Sequence, residues 1–487
     1  MAGTRKNRSF FLTRSGLVLL LLKSARHYAS PKYTQKKLNP VHFSRQVHME
    51  KSQRSAGRFL RGRLSTAVIT VLALLTFALA ANAQVPTGFI VMFQPGTAEA
   101  ARADSAQRAG AVMRFNYSIV DAIAVTALDA NAFAILQQDR SVIAIIPDWP
   151  IYGDGAQLPS IGPAATGSTQ TIPAGVKRVG VPRRGSNGNG IGVAIVDTGI
   201  NFTHRDLAPA NRWFSAFGTS CEDDNGHGTH VTGIVAALDN SVDVVGVAPS
   251  AKPYCVKVLN STFTGSDSNL IAGLDWIFRN HAIVSPRIRA VNMSLGRNGT
   301  LNDDPALRAA VRKLYNLGIV MLVAAGNDPS LEVSQRVPAG YPEVLAIAAT
   351  TAVDGQNSCL FASPIRADTA TYFTTDGRYN PNKRIGITIS APGDEEEDID
   401  ILCSMVSALG ILSTRAGGGT ERRSGTSMAT PHVTGIVARL MQSGMSGVEN
   451  IRGFIRSSAD RIGIAPLDSP TTGYSFDGER EGIARAP

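Results

Sequence analysis

The chain has 487 residues, of which 44% are hydrophobic and 18% are charged, a length that suggests about three domains of roughly 150 residues each. This composition is typical of a globular protein and excludes collagen, a coiled coil and a wholly disordered chain. The net charge is +10, but residues 1–66 hold 15 of the 48 Lys and Arg and one acidic residue, Glu50. The remaining 33 basic and 37 acidic residues give −4, which excludes a basic nucleic-acid-binding body.

The N-terminal region has the pattern of an export signal. A basic stretch leads into the apolar run 67–81, and an A-x-A pattern ends at Ala83. We expect cleavage after Ala83, because about 15 apolar residues are fewer than the roughly 20 that span a membrane. The alternative is an uncleaved membrane anchor. A start at Met49 gives a signal peptide over 49–83, so residues 1–48 are interpreted as an over-extended N-terminus or leader.

Residues 84–152 are predicted to form a small α+β domain, because short β-rich segments alternate with helix-like ones. The next residues, 153–174, are rich in Gly, Ser, Pro and Thr, which predicts a linker. In the α+β domain, strands are predicted at 88–93, 122–128 and 142–147, and helices at 98–110 and 131–138.

Residues 175–487 are predicted to form an α/β domain with a doubly wound, mainly parallel sheet and helices on both faces. Its strand candidates are apolar throughout, and amphipathic helices alternate with them. In such sheets the active site lies at the carboxyl ends of the strands. Strands are predicted at 192–196, 254–259, 290–294, 319–324 and 344–348, and helices at 227–238, 267–281 and 305–317.

Asp197 ends the apolar strand in VAIVDTG, residues 193–199. Taken alone, it could be a turn aspartate that caps the end of a strand. Asp-Thr-Gly also marks aspartic proteases, but these need two such aspartates to share a proton. The chain has one DTG and no DSG, so this class is excluded.

His227 lies between glycines in NGHGTH, residues 225–230, at a predicted helix start that exposes its ring. A zinc site would pair His227 with His230. Their spacing of three, without a glutamate, differs from the H-E-x-x-H pattern. The pattern therefore favours His227 as a base and His230 as a packed neighbour.

Ser427 lies at a glycine turn in SGTSMATP, residues 424–431, where a lone serine would ordinarily be a helix N-cap. A serine nucleophile needs a histidine base and a carboxylate that fixes the histidine tautomer. The chain order Asp197, His227, Ser427 differs from the Ser, Asp, His order of α/β-hydrolases. Asn327 ends the apolar segment VMLVAAGN and, with the Ser427 N–H, is a candidate oxyanion donor. Its alternative role is that of a turn residue.

These motifs resemble those of the subtilisin-like serine proteases, or subtilases. The resemblance implies a secreted, self-processing serine endopeptidase in which Asp197, His227 and Ser427 form the catalytic triad and Asn327 binds the oxyanion. It implies protein or peptide substrates, no cofactor for catalysis, no permanent membrane anchor and a monomer. The matching segments are VAIVDTGI, NGHGTHVTG, NMSLG, AAGN and SGTSMATPHVTG.

The same resemblance assigns three further regions. Ser294, Leu295 and Gly296 resemble the edge that pairs with the substrate backbone. Residues 84–152 resemble an inhibitory propeptide that acts on its own chain, which implies a cut within 153–172. Arg336 lies in a stretch that often lines the first specificity pocket, where it would favour acidic or small side chains.

A structural calcium ion is a further expectation from the family. The acidic segment 394–400, DEEEDID, could attract a cation, although a solvated acidic loop is an equally good interpretation. Two alternatives to the proposed activity also stay open. One is a catalytically inactive, peptide-binding relative, and the other is an exopeptidase or a processing enzyme for a single protein.

All four cysteines follow the predicted signal peptide, and an even count in an exported chain predicts two disulfides. Three connectivities are possible. We favour Cys221–Cys255 and Cys359–Cys403, because these pairs close short loops. Four buried free thiols are the alternative.

Overall fold

The computed structural model describes residues 88–126, 128–154, 169–181, 185–360, 363–403, 405–461 and 481–487. The predicted leader 1–48, the signal peptide 49–83 with its cleavage site, and most of the predicted linker lie outside the described residues. Across the described ranges, no helix is long and apolar enough to cross a membrane.

Residues 88–147 form an α+β subdomain with a four-stranded antiparallel sheet in the order β2-β3-β1-β4. Alternate residues of β1 face opposite sides, so Val91 and Phe93 pack with the two helices while Ile90 joins the core of the following domain. The elements are β1 (Phe89–Phe93), α1 (Glu99–Ala109), β2 (Met113–Asn116), β3 (Ala122–Val125), α2 (Ala130–Gln138) and β4 (Val142–Pro147).

The larger domain is built on a seven-stranded sheet in which every pairing is parallel. This confirms the predicted α/β fold with a parallel sheet. In spatial order its strands are β15 (Ile387–Asp394), β14 (Leu345–Thr351), β12 (Val320–Ala324), β10 (Ile288–Met293), β6 (Gly192–Asp197), β8 (Lys252–Lys257) and β7 (Phe214–Ser215).

Helices cover both faces of this sheet, because its strands are apolar on both sides. In β6, Val193 and Ile195 pack in one core with α4 (His227–Ala236) and α7 (Thr426–Gln442). Ala194 and Val196 pack in the opposite core with α5 (Asp267–Asn280) and α6 (Pro305–Asn316). The predicted helices in these regions are confirmed to within two residues at each end.

The remaining elements lie around the edges of the main sheet. A second, four-stranded sheet has the order β13-β11-β5-β9, and two hairpins pair β16 with β17 and β18 with β19. These elements are β5 (Pro150–Gly153), α3 (Ala174–Arg178), β9 (Thr264–Ser266), β11 (Leu295–Asn298), β13 (Arg336–Val337), β16 (Glu397–Ile399), β17 (Val406–Ala408), β18 (Ile411–Thr414), β19 (Thr420–Arg423) and α8 (Val448–Ser457).

Both favoured disulfides are present. Cys221 is bonded to Cys255 and Cys359 to Cys403. The first bond ties the segment before α4 to β8, and the second closes a loop beside β16. The described residues contain no free cysteine.

Candidate active site

Asp197 and His227 meet at the carboxyl edge of the main sheet. β6 ends at Asp197, and α4 begins at His227 after Gly226, whose φ of 100° lies in the left-handed region that favours glycine. His227 Nδ1 lies 2.8 Å from Asp197 Oδ1, and both residues are fully buried, so the predicted exposure of the His227 ring is wrong. The ring of Phe263 packs 4.4 Å from the imidazole, centroid to centroid. The contact with Asp197 fixes the orientation of the imidazole.

Ser427 and Asn327 meet on a single carbonyl oxygen, that of Asp154. Ser427 N lies 3.4 Å from this oxygen, and the Asn327 side-chain amide donates to the same atom. Asn327 Oδ1 accepts hydrogen bonds from the Thr426 N–H at 2.9 Å and its hydroxyl at 3.0 Å, which orients the amide group. Two donors on one carbonyl oxygen form the arrangement that stabilises an oxyanion.

The serine hydroxyl and the histidine are not hydrogen-bonded to each other. Ser427 Oγ donates to the Ser294 carbonyl oxygen at 3.2 Å. His227 Nε2 is buried and has no hydrogen-bond partner among the residues that the structure describes. A bond between these two groups therefore requires the hydroxyl to leave Ser294. The catalytic roles of the four predicted residues stay predictions.

The predicted substrate-pairing edge lies beside β5 of the same chain. Leu295 is opposite Gly153 and Gly296 is opposite Tyr152 in an antiparallel register. The Ser294 carbonyl oxygen accepts a hydrogen bond of 3.2 Å from the Asp154 N–H. β9 pairs antiparallel with the other edge of β5, so β5 is an inner strand of the second sheet and fills the cleft between β11 and β9. The role of Ser294, Leu295 and Gly296 toward external substrates stays a prediction.

The side chain of Asp154 faces Arg336. Arg336 Nη2 and Asp154 Oδ1 are 2.5 Å apart, and both side chains are at most one-tenth exposed. Burial raises the pKa of the Asp154 carboxyl, while Arg336 and, to a lesser extent, His227 act in the opposite direction. The backbone carbonyl of Asp154 therefore faces Ser427 and Asn327, while its side-chain carboxyl faces Arg336.

The acidic segment 394–400 does not gather into a cluster of metal ligands. Asp394 is fully buried, and its Oδ1 accepts backbone hydrogen bonds from Glu395 at 2.7 Å and Gly410 at 2.6 Å. In the described part of the chain, no group of three or more His, Cys, Asp or Glu side chains is placed to hold a metal ion. Structural calcium therefore stays an untested expectation.

Sequence reasoning missed three parts of this site: β5 with Asp154, the flanking strand β9, and Asn298 beside Arg336. The only local sign of β5 was the apolar pair in Pro150–Gly153, which is too short to separate from the preceding strand. β9 could have been suspected from a Thr-Gly-Ser segment directly before a helix that begins with an acidic residue.

A parallel α/β sheet with an Asp–His contact at its edge and a serine beside an asparagine amide has the architecture of a serine hydrolase. The comparisons with known proteins agree with this class. The model of the Subtilase family matches residues 188–477, more than half of the chain. The chain therefore belongs to the subtilase family, and it is a serine protease.

Curated relatives support the same family. M-protease from Shouchella clausii is 35% identical over 307 residues, which are 62% of this chain and 68% of that protein. Subtilisin Savinase from Lederbergia lenta is 35% identical over 61% of this chain and 95% of that protein. Subtilisin amylosacchariticus from Bacillus subtilis subsp. amylosacchariticus is 32% identical over 374 residues, 75% of this chain and 82% of that protein.

Among solved structures, fervidolysin from Fervidobacterium pennivorans, described as a keratinolytic enzyme related to subtilisin, matches with a TM-score of 0.59. The match covers 84% of this chain and 61% of that chain, at 20% identity. This chain therefore spans about three-fifths of the length of that structure, and the likeness concerns the fold alone.

Proposed function

We propose that the chain is the precursor of a secreted serine endopeptidase that cleaves peptide bonds through a covalent acyl-enzyme. The observation that carries this proposal is the Asp154 carbonyl oxygen, which receives both the Ser427 N–H and the Asn327 amide. A peptide carbonyl needs such donors when its oxygen becomes negatively charged. An extended segment bound in this way presents its carbonyl as a substrate does.

In the proposed reaction, Ser427 Oγ bonds to the carbonyl carbon of the peptide bond to be cleaved while its proton passes to Nε2 of His227. Asp197 stabilises the imidazolium, and Asn327 with the Ser427 N–H holds the oxyanion. The C–N bond then breaks as His227 gives the proton to the leaving amine, which leaves an ester on Ser427. Water gives a proton to His227 and attacks the ester carbon, and the released serine oxygen takes that proton back.

The path of β5 supports cleavage within a chain rather than removal of terminal residues. β5 is paired along both edges, and the chain continues on both sides of Asp154. The cleft therefore accepts an extended segment that is internal to a polypeptide sequence rather than terminal. This favours an endopeptidase over the exopeptidase alternative.

The α+β subdomain, within residues 84–152, is proposed as the intramolecular inhibitor. Its contacts with α5 support this role. The backbone N–H groups of Ser118 and Ile119 donate to Asp275 Oδ1 at 2.8 and 2.7 Å. At the start of α5, the Ser268 N–H donates to Asp148 Oδ1 at 2.8 Å. A subdomain anchored at the start and in the middle of one helix holds β5 in the cleft and excludes other peptides.

Export is proposed from two features of the chain. The apolar run 67–81 with its A-x-A end has the pattern of a secretory signal. The disulfides Cys221–Cys255 and Cys359–Cys403 are of a kind that persists in oxidising compartments outside the cytosol.

Labelling by a fluorophosphonate probe tests the proposed activity. We expect the matured wild-type protein to be labelled and to cut unstructured casein at internal bonds. Ser427→Ala should lose both properties, whereas Ser446→Ala, which changes an exposed serine, should keep them. A wild-type protein that binds peptides but is neither labelled nor hydrolytic would instead be the inactive, peptide-binding relative.

A further inference from the structure

The pocket that holds the Asp154 side chain is built around a positioned guanidinium group. Arg336 lies opposite Asn298 in the pairing of β13 with β11. Arg336 Nη1 donates to Asn298 Oδ1 at 2.5 Å, and Nη2 donates to Asp154 Oδ1 at 2.5 Å. Asn298 therefore holds the guanidinium with one nitrogen directed at the carboxylate.

Two glycines keep this pocket open. A Cβ atom on Gly296 would lie 2.8 Å from Asp154 Oδ2, and one on Gly326 would lie 2.6 Å from Arg336 Nε. A side chain at either position would displace the carboxylate or the guanidinium. The space between Gly296 and Gly326 thus accommodates a short acidic side chain in contact with Arg336.

Charge balance in the pocket depends on the residue that occupies it. Within the described ranges, Asp154 is the only carboxylate in ion-pair contact with Arg336. The neighbouring buried Arg297 has its own partner, Asp267, at 2.7 Å. When Asp154 leaves the cleft, Arg336 loses its counter-ion, so a neutral occupant would leave a buried charge unpaired.

We infer that Arg336 makes this protease selective for aspartate on the acyl side of the cleaved bond, and that the chain cleaves itself on the carboxyl side of Asp154. This inference rests on the proposed endopeptidase activity and names its substrate class. The covalent steps are those described above, with the Asp154 carbonyl as the acyl group.

Peptides built on the chain's own strand test the selectivity. Each carries Pro-Ile-Tyr-Gly, then Asp, Asn or Leu, then a chromogenic amine, and rates are normalised to fluorophosphonate-titrated active sites. We expect kcat/KM for Asp to exceed that for its isostere Asn by at least about 30-fold, since the neutral residue leaves a buried charge unpaired. Equal rates for Asp and Asn in a labelled enzyme overturn the inference and leave the proposed function standing.

Variants assign the preference to the guanidinium. Arg336→Gln should bring the Asp-to-Asn ratio close to one, and Arg336→Lys should keep a preference for Asp. Arg312→Gln, which changes a half-exposed arginine on α6, is the matched control and should keep the wild-type ratio. If Arg336→Gln keeps the full preference, Arg336 is not the selective group. If Arg336→Gln does not fold, the ratio of kcat/KM for the Asp peptide to that for the Asn peptide in the wild-type enzyme alone decides whether the protease is selective for aspartate.

Maturation provides a second readout. N-terminal sequencing of the mature protein should begin at residue 155, and a start elsewhere overturns self-cleavage after Asp154. A wild-type protein that is neither labelled nor hydrolytic overturns the proposed function and the selectivity together, which separates that outcome from a loss of selectivity alone.

Discussion

At the scale of single residues, Gly153 shows how closely β5 fits the cleft. A Cβ atom at this position would lie 1.8 Å from the Phe263 ring, and that ring packs on the imidazole of His227. The residue before Asp154 therefore has no room for a side chain unless Phe263 moves. The fit restricts which sequences can place a carbonyl beside Ser427.

Gly153→Leu is expected to slow self-cleavage by roughly tenfold or more, because overpacking of this kind costs about 1–3 kcal/mol. The measurement is the rate at which the precursor converts to the mature form, followed by gel or mass spectrometry. Phe263→Ala in the same chain should restore part of the rate by emptying the space. Tyr152→Leu, where the side chain is 41% exposed, is the matched control. An undiminished rate in Gly153→Leu alone would show that Phe263 moves freely.

At the scale of elements, the last residue of β15 is an aspartate, Asp394, whose side chain is shielded from solvent. Asp394 is fully buried, and burial raises its pKa to about 7, despite backbone hydrogen bonds that act in the opposite direction. The unfolded chain has an ordinary aspartate pKa of about 3.9. Between these values the folded state holds a proton that the unfolded state has released. Stability from this group is therefore present at low pH and is lost as the pH rises to about 7.

The predicted loss is on the order of 3–4 kcal/mol between pH 4 and 8. It can be measured by denaturant unfolding in the Ser427→Ala background, which prevents autolysis. Asp394→Asn should reduce the dependence of the unfolding free energy on pH without abolishing it, because the buried Glu397 has a raised pKa as well. Asp104→Asn, at an exposed position of α1, should leave the dependence unchanged. The same dependence in Asp394→Asn and Ser427→Ala alone would exclude this role for Asp394.

At the scale of the whole molecule, each disulfide anchors a connecting segment that is not itself a strand of the main sheet. Cys221 lies in a connection between β7 and α4, and its partner Cys255 belongs to β8 at an inner position of the main sheet. The second pair, Cys359 and Cys403, anchors a loop with its own small hydrophobic cluster. The bonds span 34 and 44 residues.

Removal of the first bond by Cys221→Ala with Cys255→Ala is expected to lower the unfolding free energy by on the order of 3–4 kcal/mol, because the unfolded chain gains the freedom of an open loop. Chemical denaturation of the Ser427→Ala protein measures this change. Reductant should lower the denaturation midpoint of the disulfide-bonded protein and have less effect on the double alanine variant. An unchanged midpoint in both would show that the bond is not formed in solution.

The sequence by itself determined the fold class, five of the seven strands of the main sheet and the position of each predicted catalytic residue at or near an element end. The two edge strands, β7 and β15, were not predicted. The predicted features are local, since apolar runs indicate strands and a glycine, Gly226 or Gly425, directly precedes each of the two helices that carry His227 and Ser427. The disulfide pairing followed from loop length alone. The family resemblance placed Arg336 near a specificity pocket but could not name its partner.

Only the tertiary structure decided that Asp154 occupies the cleft and pairs with Arg336. These residues are 182 positions apart, and an ion pair between distant positions leaves no periodic pattern in a single sequence. β5 could not be predicted for the same reason, because its four residues form a strand only by pairing with β11 and β9. Short strands of this kind gain their hydrogen bonds from neighbours, so their own residues do not specify them.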